Sequence, residues 1–281
     1  MKQKNRFFGR ILCADKDLLN FDETNFAIRQ RTEQEITLVS LNGKIVRLLA
    51  KGRDVGPDCI GCELLPPLDE NIAEDGWVLH DGVLRIPFLT LIELKKTELF
   101  DSVANIEIRD FPGHMRGLIA RRMRQADFAT FRTVEDRVGL LAAAINERLT
   151  ESAEIPLVDL VGFGEGNLAM GDAAICGLLL TGRGFALGKR FKVDWYSRLR
   201  VEIKRLVHRT DARGKSWLGF AQEGKMTGLQ RRFFEGMARD FECADEILVN
   251  EISNSEEFNG RAFLIGCFTA LEMVQKNLFK K

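Results

Sequence analysis

The sequence has no excess charge of either sign: 41 lysines and arginines balance 41 aspartates and glutamates in 281 residues. That removes any whole-chain argument for a nucleic-acid binder or a polybasic membrane protein. It shows no run of about 20 apolar residues of the kind that spans a bilayer. The uncharged stretch Ala173 to Gly182 is bounded by Asp172 and Arg183, so no membrane span is expected. No secretory leader is expected either. Lys2, Lys4 and Arg6 look like a basic n-region, but Arg10, Asp15 and Lys16 leave no apolar segment of about 7–15 residues behind it. Cysteine is sparse, with six in the chain. Without export, this fits reduced thiols in the cytoplasm better than a disulfide framework. Tyrosine occurs once against 20 phenylalanines. Phenylalanine at helical spacing reads as core rather than as a base-stacking platform, which argues against single-stranded nucleic acid.

What is present is an ordinary globular composition, 45% apolar and 29% charged, long enough for one large domain or two of moderate size. The first hundred residues read as strands and turns. Glu35 to Leu41 and Lys44 to Leu49 flank Asn42-Gly43, and Gly76 to His80 and Val83 to Pro87 flank Asp81-Gly82. Both pairs suit type I′ hairpin turns. Phe88 to Leu94 can add another strand, and Pro66-Pro67 separates the hairpins. After Phe111-Pro112-Gly113 the period changes to 3.6. Met115 to Phe128, Thr133 to Leu149, a helix capped by Asp194, Ser216 to Ala221, Leu229 to Ala238 and Arg261 to Leu278 are the helix candidates. The expected fold is α+β: an antiparallel β-rich domain over residues 1–105, then a mainly helical domain over 106–281 that carries a glycine-rich loop.

That loop is the most informative segment. The apolar run Leu157 to Val161 feeds Gly162-Phe163-Gly164-Glu165-Gly166-Asn167, and a small-residue helix follows from Gly171-Asp172. Backbone N–H groups and a helix N-terminus can here face a phosphate or carboxylate. The same glycines can equally make a tight turn that lets the helix pack closely, with Asp172 as a local cap. The spacing is not a dinucleotide fingerprint, because the third glycine is misplaced and no βαβ units surround it.

The glycine run followed by Gly-Asp, in a helical half behind a β-rich half, resembles the AllH-like family, named for a subunit of the oxamate carbamoyltransferase of allantoin and purine breakdown. The family pattern is matched at Gly162, Gly164, Gly166, Gly171 and Asp172 and in Cys176-Gly177-Leu178-Leu179. Leu168 and Ala169 replace its Thr-Pro, and Ala173 replaces its second Asp. Asn42 to Leu49 with Gly52 and Val55-Gly56-Pro57 is similar to its hairpin and Gly-Pro loop. Thr210 and Ser216-Trp217-Leu218 through Ala221 and Gly224 resemble its Thr…Ser-aromatic-Leu helix. Near the C-terminus only Gly260 and Gly266 of a Gly-His-Thr-Ser-Gly-x-Asp stretch are kept, with Glu257, Phe258 and Ala262 at the polar positions.

The resemblance implies carbamoyl transfer between an oxamate-like acceptor and phosphate. Such a reaction needs donors aimed at phosphate and carbonyl oxygens more than a covalent nucleophile. Asp172 is then the candidate catalytic group. Gly162, Gly164, Gly166, Asn167 and Gly171 are candidate binding residues, with Gly56, Thr210, Ser216 and Gly260 behind them. His208 and Arg209 stand near. The expected partners are a small anionic substrate and further subunits of a carbamoyltransferase complex, with no metal, cofactor, nucleic acid or membrane. A second reading, a non-catalytic scaffold or regulatory subunit, follows from Ala173, Phe258 and Ala262.

Other signals point to structure. Cys59-Ile60-Gly61-Cys62 is half a zinc site at best, and neither His80 nor His114 is tied to it by spacing. Gly219 to Met226 nearly matches a P-loop, but Met226 holds the Ser/Thr position, so the segment reads as a helix ending at Gly224. Charge is uneven in this half: eleven Lys/Arg against three Asp/Glu over 183–215, and one basic residue against eight acids over 235–257. These faces are either solvated or paired with each other in the fold, or else the basic one borders an anionic ligand or acidic partner.

Overall fold

Alternating apolar residues build the strands of the first half, and 3.6-residue spacing builds the helices of the second. The computed structural model describes residues 10–66, 75–87, 90–146, 156–239 and 245–278. The chain divides into two compact units, Met1–Ser102 and Val103–Lys281, and its class is α+β.

Among the described residues of the first unit, nine strands form one sheet: β1 Ile11–Asp15, β2 Thr24–Arg31, β3 Glu35–Ser40, β4 Ile45–Ala50, β5 Cys59–Cys62, β6 Asp75–His80, β7 Val83–Ile86, β8 Thr90–Glu93 and β9 Glu98–Phe100. Their order is β8-β7-β6-β2-β3-β4-β5-β1-β9. One face buries Ile36, Leu38, Val46, Leu48, Ile60 and Trp77, the alternate positions that a pleated strand turns to one side. Most neighbours are antiparallel, but β4–β5 and β1–β9 are parallel, so the sheet is mixed. Residues 51–58 carry the chain back to the start of β4 before β5 begins. Asp15 fixes that return by accepting the Asp58 N–H at 2.8 Å.

The two hairpins differ. Asp81 and Gly82 have φ of 48° and 71°, the two positive values of a type I′ turn. At the other hairpin only Gly43 is positive, at 80°. Its N–H donates to the Ser40 carbonyl at 2.9 Å, and Leu41-Asn42-Gly43 form a three-residue loop. The expected I′ turn is therefore a turn closed by one left-handed glycine. The Ser40 hydroxyl takes the Lys44 N–H at 2.9 Å, which widens the hairpin by one residue. Phe88, Pro67 and Leu149 lie outside the described residues.

The second unit contains α1 Gly113–Met123, α2 Arg132–Asn146, α3 Met170–Gly188, α4 Asp194–Leu206, α5 Ala212–Glu223, α6 Gly228–Arg239, α7 Asp245–Ser253 and α8 Gly260–Leu278, with a short helical turn over 156–160. α1 ends earlier than its pattern suggests, and a 3-10 segment, Ala126–Phe131, continues it. Val134, Val138, Leu141 and Ile145 are buried on α2, the stripe expected of them. Asp194 does not cap α4. Val193 holds the cap position and Asp194 lies in the first turn, where a carboxylate still complements the helix dipole. Gly224 ends α5 in the left-handed conformation at φ 80°, so the near-P-loop is a helix C-terminus.

α3 is long and apolar enough to cross a membrane, yet it forms the centre of the bundle, packed by α8, α5, α4 and α2. Its approach to α8 is backbone-close. A Cβ on Gly177 would overlap the Phe263 carbonyl, and one on Gly266 the Ala174 carbonyl. Phe233, Phe234, Phe258 and Phe263 fill the adjoining core, mostly edge to face, the arrangement favoured by the ring quadrupoles.

Candidate functional site

The glycine loop leaves the helical turn 156–160 with the Phe163 N–H bonded to the Leu160 carbonyl at 3.0 Å. Gly162, Gly164 and Gly166 then take φ of 73°, 86° and 118°, a backbone that side-chain-bearing residues rarely adopt. α3 starts beneath, with the Gly171 N–H bonded to the Phe163 carbonyl at 2.9 Å. A Cβ on Gly171 would overlap the Leu160 carbonyl, so this glycine serves close packing.

The inner half of the loop is tied down by Asp172. One carboxylate oxygen accepts the Gly162 N–H at 2.9 Å and the other accepts the Thr210 hydroxyl at 2.5 Å. Asp172 is fully buried. A Cβ on Gly214 would overlap both the Asp172 carboxylate and the Thr210 hydroxyl, so nothing larger fits over the pair. Burial raises the Asp172 pKa above its ordinary value. The bonds from Thr210 and Gly162 oppose this, and the nearby Asp211 adds to it. Asp172 and Thr210 therefore sit under the loop as positioning groups, away from solvent.

The outer half opens onto a cleft of about 680 Å³. Gly166 and Asn167 line one side. Ser253 to Glu256, Asn259, Gly260, Arg261 and Phe131 line the rest. Asn259, at φ 53°, donates from its side-chain amide to the carbonyls of Glu165 and Leu168, each at 3.3 Å. It thereby latches the loop to the start of α8. The Arg261 guanidinium lies 5.8 Å from the Phe131 ring centroid. Arg122 donates to the Ser253 hydroxyl at 2.9 Å and to the Asn254 side-chain carbonyl at 3.3 Å, which ties two of the lining residues to α1. Arg137 stacks 3.7 Å from the centroid of Phe163 and donates to the Asp159 carbonyl.

Of the residues singled out in the sequence, Gly166, Asn167 and Gly260 come together at the cleft. Gly162, Gly171, Asp172 and Thr210 form the packed support beneath, and Gly164 rests against Met170. Ser216 is not part of either group: its hydroxyl donates to the Ala212 carbonyl at 3.1 Å within α5. His208 and Arg209 are exposed on the 3-10 turn Val207–Arg209. Gly56 is buried in the other unit, in the return before β5. Arg261, Asn259 and Arg137 were not singled out. The signal available in the sequence was the Asn259-Gly260 pair ahead of a helix, since Asn tolerates the left-handed backbone.

Cys59 and Cys62 are both buried in β5, three residues apart on a strand and hence on opposite faces. Cys62 and Ile60 share the apolar face. Burial pushes the Cys62 thiol up to about 12. Among the described residues, no three His, Cys, Asp or Glu side chains come together as metal ligands. A second cavity, of about 400 Å³ and floored by Met123, Phe128 and Phe268, holds none of the residues predicted for the site. Comparison with protein-family models, curated proteins and solved structures gives no match for this chain.

Proposed function

We propose that the helical unit binds a small anion in the cleft beside the glycine loop, and that the chain is a cytoplasmic AllH-like protein, a subunit or relative of an oxamate-type carbamoyltransferase. The observation that carries this reading is the convergence of Gly166, Asn167 and Gly260 on one cleft, together with the Arg261 guanidinium. A carboxylate or phosphate there meets a cation, side-chain amides and the first turn of α8, whose partial positive charge favours anions. Carbamoyl phosphate and oxamate present such oxygens. Transfer between them rests on holding the two reactants in line and stabilising the charge that develops on oxygen. Asp172 and Thr210 act by keeping the loop in register rather than by touching the ligand.

A second reading is a non-catalytic scaffold or regulatory subunit of a multi-subunit enzyme. It is favoured by Ala173, Phe258 and Ala262, all three fully or almost fully buried in the apolar core, where they offer no acid or base. Thermal unfolding with carbamoyl phosphate, phosphate, oxamate and a nucleotide in turn tests the first reading. A ligand at 100 times its Kd adds about 2.7 kcal/mol, a rise of a few degrees for a chain of this length. A rise with carbamoyl phosphate or oxamate that falls to about half or less in Arg261→Ala supports the anion cleft. No rise with any of them sinks it, and co-purification with partner subunits then tests the scaffold.

A further inference from the structure

The uneven charge of the second half resolves into two helix faces of opposite sign, each with an apolar residue at its centre. On α4, Val201 is 51% exposed. Arg198, Lys204 and Arg205 surround it at helical spacing and are exposed as well. Past the helix end Arg209 and Lys215 are exposed too, with the exposed Asp211 between them. On α7, Ile247 is 62% exposed, beside the exposed Glu246, Asn250 and Glu251. The faces do not satisfy each other within the chain. Arg205 pairs with Glu202 on its own helix, and Glu251 pairs with Arg232 of α6, each at 3.2 Å. Among the described residues, Arg198, Lys204 and Lys215 form no ion pair with residues 235–257. α4 packs on α3, whereas α7 packs on α6, α1 and α8.

From this we infer that the positive α4 face of one copy docks on the negative α7 face of a second copy, with Val201 and Ile247 at the centre of the contact. An apolar centre inside a charged rim is the usual anatomy of a protein interface. Opposite signs on two patches of one neutral chain make that chain its own complementary partner. The contact is head to tail: each copy uses one face and leaves the other for the next, so the assembly closes as a ring or extends. Acid–base rim pairs of this kind are screened when the Debye length falls from about 10 Å at 0.1 M salt to about 3 Å at 1 M.

The test is the solution mass of the full chain, by light scattering or sedimentation, for the wild type and two charge-reversal variants. Arg198→Glu/Lys204→Glu leaves Arg205 as the one cation of the three around Val201 and turns that ring net negative, and Glu246→Lys/Glu251→Lys turns the acids beside Ile247 positive. Circular dichroism and melting first establish that each variant is folded. The expected result is a wild-type mass at least double that of one chain in dilute buffer, falling to one chain at about 0.5 M salt. Each variant alone is a single chain in dilute buffer, and an equal mixture of the two associates again. A wild type that is a single chain in dilute buffer overturns the inference. So does association that survives both reversals. If the positive-face reversal changes the mass while the negative-face reversal does not, the inference also falls, and the α4 face then serves a different, acidic partner.

Discussion

Asp172 accepts the hydroxyl of Thr210 at 2.5 Å across a sequence separation of 38 residues, and neither residue is open to solvent. The same carboxylate holds the Gly162 N–H, so one buried side chain ties the glycine loop, α3 and the turn before α5 together. Asp172→Ala leaves an N–H and a hydroxyl buried without partners and is expected to cost about 2–4 kcal/mol. Asp172→Asn keeps an acceptor for Gly162 and offers a donor to Thr210, whose hydroxyl can turn. It also removes a desolvated charge. Its stability at pH 7, measured by urea unfolding, should equal or exceed the wild type.

The pH dependence of that difference follows from the raised Asp172 pKa. The folded state holds this proton more tightly than the unfolded state, so protonation stabilises the fold. The unfavourable contribution is fully present above the folded pKa and fades as pH falls toward the ordinary carboxylate range near about 4. Any advantage of Asp172→Asn over the wild type should therefore shrink between pH 7 and pH 4. An advantage that grows on acidification would contradict the burial of an ionised Asp172.

Glycines at helix contacts and glycines facing open space should respond oppositely to alanine. Gly266→Ala forces a Cβ into the Ala174 carbonyl, where backbone must shift, and is expected to destabilise by about 1–3 kcal/mol or more. Gly219, inside α5, has nothing within 4 Å of its added Cβ. Gly219→Ala should stabilise by about 0.4–1 kcal/mol through helix propensity and a less disordered unfolded chain. Denaturant midpoints of the two variants decide this.

These residues show how far the sequence could be read. Periodicity located β3, β4, α2 and α8, because burial of one face leaves a repeating mark on the chain. Asn42-Gly43 and Asp81-Gly82 looked alike as dipeptides, yet only the second forms a type I′ turn. In the first the loop is one residue longer, Leu41-Asn42-Gly43, and the Ser40 hydroxyl takes the Lys44 N–H. At the loop, the glycines were visible from their number, and Gly166, Asn167 and Gly260 do line a cleft. The direction in which Asp172 points was not visible, because α3 is buried on nearly all sides and its apolar pattern marks no solvent face. Asn259 acts through contacts to residues more than 90 positions away, which no local pattern records.

Thiol reactivity should follow burial. Cys62 and Cys267 have pKa values pushed up to about 12 by burial, and Cys176 is raised well above its usual value for the same reason. Cys13 is partly exposed and raised as well. Since the thiolate is the nucleophile, native alkylation near pH 8 should label Cys13 before Cys59, Cys62, Cys176 or Cys267. Peptide mass spectrometry reads the order directly. Early labelling of Cys62 would mean that β5 opens far more readily than its buried position allows.

The latch and the cation at the cleft can be separated by three substitutions. Asn259→Gly keeps the left-handed backbone at φ 53° and removes only the amide that holds Glu165 and Leu168. Asn259→Ala removes the amide and also disfavours that backbone, so it should be the less stable of the two by about 1 kcal/mol. Neither change touches Arg261. If the loop must be latched to bind, Asn259→Gly weakens the anion ligand while melting changes little. Arg261→Ala leaves the latch in place and removes one charge-assisted bond worth about 1.5–3 kcal/mol, so affinity should fall about 10- to 150-fold. Calorimetry with oxamate or carbamoyl phosphate distinguishes the cases. Affinity unchanged in Arg261→Ala would move the anion away from this cleft, whereas a loss in Arg261→Ala with none in Asn259→Gly would show that the cation binds without the latch.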